Sequence, residues 1–133
     1  MILLDTHALI WMDIGSASLG PSARKLILSA SVEGDLFVSA ISFWESAMLY
    51  DRQRLKLPRP PVHWREDILS AGVREAPVDG AIAVAAAQLS LDHKDPADRL
   101  IVATALAYDA TLLTADKSIL RWRGKLRRQD ASK

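Results

Sequence analysis

The sequence of 133 residues contains no cysteine. That excludes a disulfide framework and a thiolate zinc site, so any metal must be held by oxygen or imidazole. A reducing cytoplasm fits this composition and is the expected location. Long apolar runs are missing as well. The longest, residues 81–87 and 100–108, fall well short of the roughly 18 residues a membrane-spanning helix needs. The N-terminus has no basic lead-in, and Asp5 and His7 interrupt its apolar start, so neither secretion nor membrane contact is expected. Charge of one sign is also lacking: 17 Lys and Arg against 16 Asp and Glu leave a net charge of +1. No global field marks a nucleic-acid binder. Only the end of the chain is locally basic, at Arg121, Arg123, Lys125, Arg127 and Arg128.

What is present describes one globular domain. Half of the residues are hydrophobic, a quarter are charged, and six Gly and six Pro are too few for a low-complexity chain. A domain of this length buries roughly two thirds of its unfolded surface and can stand on its own core. Residues 1–122 are expected to form that domain, with 123–133 a basic tail that is either a solvated end or an electrostatic arm for phosphates.

Met1 to Leu4 is continuously apolar, as in a strand buried on both faces of a parallel sheet, and Asp5 ends it. A short helix follows over Thr6 to Met12, then one opened by Pro21 and closed by Gly34, then a strand over Leu36 to Ser39. Ser42 and Glu45 have capping-box spacing, which predicts a third helix with Glu45 in its first turn. Pro61 opens another helix, Val73 to Ala76 reads as a strand, and the alanine-rich segment from Asp79 to Leu91 reads as a buried helix. Asp95, Pro96 and Asp98 take the N-cap, first and third positions of a last major helix. Thr111 to Thr114 is the final clear strand. Alternating strands and helices without repeat or linker predict a three-layer α/β/α domain with a mostly parallel sheet.

In such sheets the ligand crevice lies beyond the carboxyl ends of the strands, where Asp5 and Asp116 fall. Each acid alone has a plain structural reading as a turn or cap residue, and Glu45 and Asp98 suit helix starts. Together they differ. Two carboxylates at strand ends and two at helix starts converge on one crevice, and like charges that close need a cation. Hard oxygen donors without cysteine select Mg²⁺ or Mn²⁺, and metal-assisted phosphodiester hydrolysis is the implied chemistry.

The segments LLDTHALIW, SAISFWESAML, HKDPADRLIVATAL and LLTADKSIL resemble, in order and spacing, the four acidic blocks of PIN domains, and in particular the VapC-like toxins of type II toxin-antitoxin pairs. The resemblance runs from Met1 to about Trp122. It implies a metal-dependent endoribonuclease with Asp5, Glu45, Asp98 and Asp116 as metal-binding and catalytic acids. Thr114 matches the hydroxyl residue before the last acid. It also implies an RNA substrate, a cognate antitoxin and frequent homodimers. Trp11, Phe43, Trp44, Met48 and Trp64 read first as core residues, but the first and third helices carry more large apolar side chains than one small core absorbs, which suits such an interface.

Secondary candidates surround this set. Asp95 is a fifth ligand or a helix cap. His93 meets RNA, orients an acid or is a surface residue, and His7 has the same alternatives. Thr6 and Ser42 are hydrogen-bond partners of the acids or caps, and Arg99 meets phosphate or faces solvent. Two other functions remain: an inert binding or regulatory module of the same fold, and an α/β phosphotransfer domain using Asp5. The latter lacks a second acid near Asp5, since His7 stands where a phosphatase pattern has Asp.

Overall fold

The computed structural model describes residues 1–133. Ile2–Leu4 (β1) lies at the centre of a sheet with Leu36–Ser39 (β2), Arg74–Ala76 (β3), Thr111–Thr114 (β4) and Arg128–Asp130 (β5). The order is β3-β2-β1-β4-β5 and every pair is parallel. Alternation along the strands feeds two cores. Leu4, Leu36, Val38 and Leu113 face one side and Leu3 and Leu112 the other, all at most 2% exposed. This explains why the strands read as unbroken apolar runs.

Against the first face pack Thr6–Ile14 (α1), Pro21–Val32 (α2) and Pro61–Ser70 (α4), through Leu9, Ile27, Trp64 and Ile68. Against the second pack Pro96–Ala107 (α6) and Lys117–Arg121 (α7), through Ile101, Val102 and Ile119. Ala40–Asp51 (α3) contributes to both, with Phe43 on one side and Ile41 on the other. The three-layer parallel architecture is therefore the one expected. At its switch point, beside β1 and β4, the sequence of strands changes direction, and the carboxyl ends there carry Asp5 and Asp116.

Three local expectations need correction. Helix α3 begins two residues earlier than Ser42: Ser39 caps it, accepting from Ile41 N at 3.2 Å, so Glu45 lies in its second turn. A cap signal at Ser42 was a competing match one helical position set too late. The alanine-rich helix, Gly80–Gln88 (α5), is a surface helix. Only Ile82 and Ala86 are buried, against Ala103 of α6, while Val84 is 59% exposed. Alanine supplies helix propensity there rather than core volume.

The basic tail is the third. Instead of a solvated end, residues 128–130 add a strand to β4, pairing Leu112 with Arg128 and Thr114 with Asp130. Ala131 is fully buried, and Ser22 N donates to the Lys133 carbonyl at 2.8 Å. The polar sequence of an edge strand carries no hydrophobic period, because its register is held by backbone hydrogen bonds alone. Among the large aromatics, Trp64 is core, stacked edge-to-face on Phe43 and donating Nε1 to Asp13 at 2.9 Å. Trp44 is 56% exposed.

Candidate metal centre

Asp5 follows β1 and caps α1. Its Oδ1 accepts from Ala8 N at 2.7 Å and its Oδ2 from Thr114 Oγ1 at 2.5 Å. It is 5% exposed, and burial raises its pKa although both hydrogen bonds oppose the shift. Asp116 follows β4 and caps α7, its Oδ1 accepting from Ser118 N, Ser118 Oγ and Ile119 N at 2.9, 2.6 and 3.2 Å. Burial works against its charge, yet the Ser118 and His93 hydrogen bonds outweigh it and the pKa falls below the ordinary value. Thr114 joins the two acids: the hydroxyl that donates to Asp5 accepts from Asp116 N at 3.1 Å.

The other two acids come from helix faces and have no such support. Glu45 has a buried Oε1 with no hydrogen-bond partner. Asp98, in the first turn of α6, is pushed up to about 7, chiefly by burial and then by the negative charges of Asp95 and Glu45. Desolvated carboxylates that repel one another, one of them with a buried oxygen that has no donor, form a site that favours a cation.

All four acids line one crevice of about 310 Å³, with Asp95 as a fifth carboxylate. Ligand atoms of Glu45, Asp95 and Asp98 lie within 4.8 Å of one another, as do those of His93, Asp98 and Asp116. Asp98 is common to both groups. Asp95 is a cap as well, accepting from Ala97 N at 2.9 Å. His93 is no surface loop residue: its Nε2 sits 3.0 Å from both Asp98 Oδ2 and Asp116 Oδ2. Its Nδ1 accepts from Asp95 N at 3.3 Å, which leaves Nε2 as the proton-bearing nitrogen between the carboxylates. Burial lowers the His93 pKa, but the Asp116 hydrogen bond and the Asp98 charge outweigh it and the net shift is upward. His7 is exposed and lines the same crevice.

Other secondary candidates fall elsewhere. Thr6 Oγ1 donates to Ser42 Oγ at 3.0 Å, so the two hydroxyls satisfy each other where α1 meets α3 and do not touch the acids. Arg99 neither meets phosphate nor faces solvent. Its guanidinium donates to the carbonyls of Ala86, Ala87, Leu89, Leu91 and His93, at 2.7 to 3.3 Å. Five N–H groups meet five carbonyls, which pins the segment before His93 and leaves no donor for a ligand. Sequence reasoning missed Ser118, whose two donors hold Asp116. An Asp-x-Ser run directly after a strand is the local signal for such a cap.

The PIN domain family model matches residues 2–125. The chain belongs to the PIN-domain family. A curated relative, ribonuclease VapC22 of Mycobacterium tuberculosis, is 34% identical over 119 residues, 89% of this chain and 88% of the relative. Solved structures similar to this PIN domain include a DNA-bound VapBC from Salmonella typhimurium, at 18% identity, covering 97% of this chain and 96% of that one, with TM-score 0.67. A toxin-antitoxin complex from Klebsiella pneumoniae matches at 19% identity, covering 92% and 93%, with TM-score 0.60. At these identities the two structures share the PIN fold. The family match extends past Trp122 to residue 125, so it enters the segment first assigned to the tail.

Proposed function

We propose that this PIN domain is an endoribonuclease dependent on Mg²⁺ or Mn²⁺ that acts as the toxin of a toxin-antitoxin pair. The observation that carries the metal is the desolvation of Glu45 and Asp98: a buried carboxylate oxygen without a donor, beside an acid pushed up to about 7. The donor set, all hard oxygen apart from His93, fits these ions. Asp5, Glu45, Asp98 and Asp116 would hold the cation, with Asp95 within reach of the same place. When bound, it offsets negative charge and polarises a phosphodiester as a Lewis acid.

The chain's own groups prepare the site. Thr114 and Ser118 aim Asp5 and Asp116 through fixed hydrogen bonds, so these carboxylates are oriented before any ligand arrives. His93 keeps an N–H between Asp98 and Asp116, and Arg99 holds the loop that delivers it. The ribonuclease reading is supported by the identity to VapC22, and the antitoxin by the kind of complex in which similar folds occur. Trp44 on α3, exposed and aromatic, is an anchor suited to an antitoxin or a second copy. A cytoplasmic setting follows from that reading; no helix is long and apolar enough to cross a membrane.

Purified chain incubated with pooled cellular RNA should cleave it with Mn²⁺ or Mg²⁺, stop with excess EDTA, and resume when metal is restored. Cleavage that persists unchanged in EDTA would sink the metal assignment, and no cleavage with either ion would sink the enzymatic one. Labelling of Asp5 by a small phosphodonor would instead favour phosphotransfer.

A further inference from the structure

Next to the acidic crevice lies a second, larger depression of about 640 Å³, walled by the 90–92 segment on one side and by Ser118 and residues 121–124 on the other. It shares no lining residue with the acidic crevice but is tied to it by Ser118, whose hydroxyl donates to Asp116 at 2.6 Å, and by Asp92, the residue before His93. Two features mark it. Arg121 and Arg123 are exposed on its rim, and neither forms an ion pair or a side-chain hydrogen bond, unlike Arg59, Arg65 and Arg127, which pair with carboxylates, and like Arg52 and Arg54 away from the groove. Asp92 is the single carboxylate in its lining.

Between those arginines Trp122 is half-buried, packed on the core of Ile101, Val102 and Ile119 but still lining the groove. Its position is built. A Cβ at Gly124 would lie 2.2 Å from the indole Cη2, so glycine alone lets the ring cross the backbone there, and the Arg128 guanidinium donates to the Trp122 carbonyl. An aromatic ring held by the core, flanked by two unpaired guanidinium groups and tied through Ser118 to the acidic crevice, has the composition of a single-strand binding groove.

We propose that this groove holds the RNA strand next to the scissile bond, with one unpaired base stacked on Trp122 and the flanking phosphates on Arg121 and Arg123. The proposal rests on the ribonuclease reading for its substrate class. It makes single-stranded RNA the preferred ligand, because a stacked base must leave its duplex.

The test measures binding of a fluorescein-labelled single-stranded RNA to the full chain by anisotropy, with Ca²⁺ as the ion, and cleavage separately with Mn²⁺. Replacing Arg121 and Arg123 with alanine together should weaken binding at least about 10-fold and flatten the salt dependence by about 1.4 log units per log unit of salt, two phosphate contacts on a single strand. Alanine at Arg52 and Arg54, the same charge change outside the groove, should leave both nearly unchanged. Trp122→Leu keeps apolar volume but loses the π face and should bind about 5- to 100-fold more weakly, while Trp122→Phe retains most affinity. Should Trp122→Leu fail to fold, as its melting curve would reveal, the arginine pair decides. Wild-type affinity and salt slope in the arginine variant, or a wild-type chain that binds no single-stranded RNA, overturn the groove, as does equal preference for a duplex of the same sequence. Groove-dependent binding without cleavage would instead leave the groove standing and overturn the ribonuclease reading.

Discussion

The four acids form two unlike pairs. Asp5 and Asp116 stand at strand ends and serve the fold: each caps a helix, and a hydroxyl of Thr114 or Ser118 donates to it. Glu45 and Asp98 stand on helix faces, have no donor from the protein apart from His93, and repel their neighbours. The difference separates carboxylates that folding uses as helix caps from carboxylates for which it has no such use. A cation would relieve the repulsion among the second pair.

Removing one acid from each pair should show this most strongly. On the proposed metal assignment, Asp98→Asn and Asp116→Ala should both lower RNA cleavage on the order of 10²-fold or more, since each would remove a ligand oxygen. Without metal their stabilities should diverge: Asp98→Asn melts at or above the wild-type temperature, while Asp116→Ala loses about 1 kcal/mol with its helix cap. Melting curves in EDTA beside a cleavage assay provide the comparison. Near-normal cleavage by Asp98→Asn would remove it from the site, and an Asp116→Ala chain as stable as wild type would dissolve the distinction between the pairs.

Thr114→Val sharpens it on the anchored side. The fully buried hydroxyl serves Asp5 and Asp116 at once. Its loss should reduce stability by about 1–3 kcal/mol and lower metal affinity roughly 10-fold. Calorimetric Mn²⁺ titration checks the second figure, and unchanged affinity would show that Thr114 supports the fold alone.

The smallest effect is in pH. Asp98 has its folded pKa raised from 3.8 to about 7, so between those values the folded chain keeps a proton that the unfolded chain releases. Stability of the metal-free protein therefore falls as pH rises through that window. His93, also raised, adds stability that is present below about 6.5 and lost as pH rises through its folded pKa, in the same direction. Between pH 5.5 and 8 the metal-free chain should lose about 1 kcal/mol, the full shift being reduced by solvent at the open crevice. Saturating Mn²⁺ should reverse the trend, because binding requires the ionised acids. A metal-free melting temperature that rises over this range would contradict the pairing.

Much of this is legible in the sequence. Apolar strand runs, Pro21 and Pro96 at helix starts, and acids after β1 and β4 each have a local cause, and they locate the sheet's crevice. Glu45 was found for a partly mistaken reason, since the helix that carries it starts at Ala40 under a Ser39 cap. What stayed hidden depends on distance along the chain. Thr114 reaches Asp5 across 109 residues, His93 reaches Asp116 across 23, and no short-range pattern encodes either. Arg99 is hidden differently: as a helix arginine it looks solvent-facing until the preceding loop folds over it. The edge strand β5 left no trace in hydropathy.

Capping by Asp5 and Asp116 has an evolutionary corollary. In a descendant copy no longer selected for cleavage, substitutions at Glu45 and Asp98 would meet no penalty from the fold and would accumulate early. Asp5 and Asp116 would outlast them, kept for the helices they begin, so that half an acidic site is the expected fossil of a lost one.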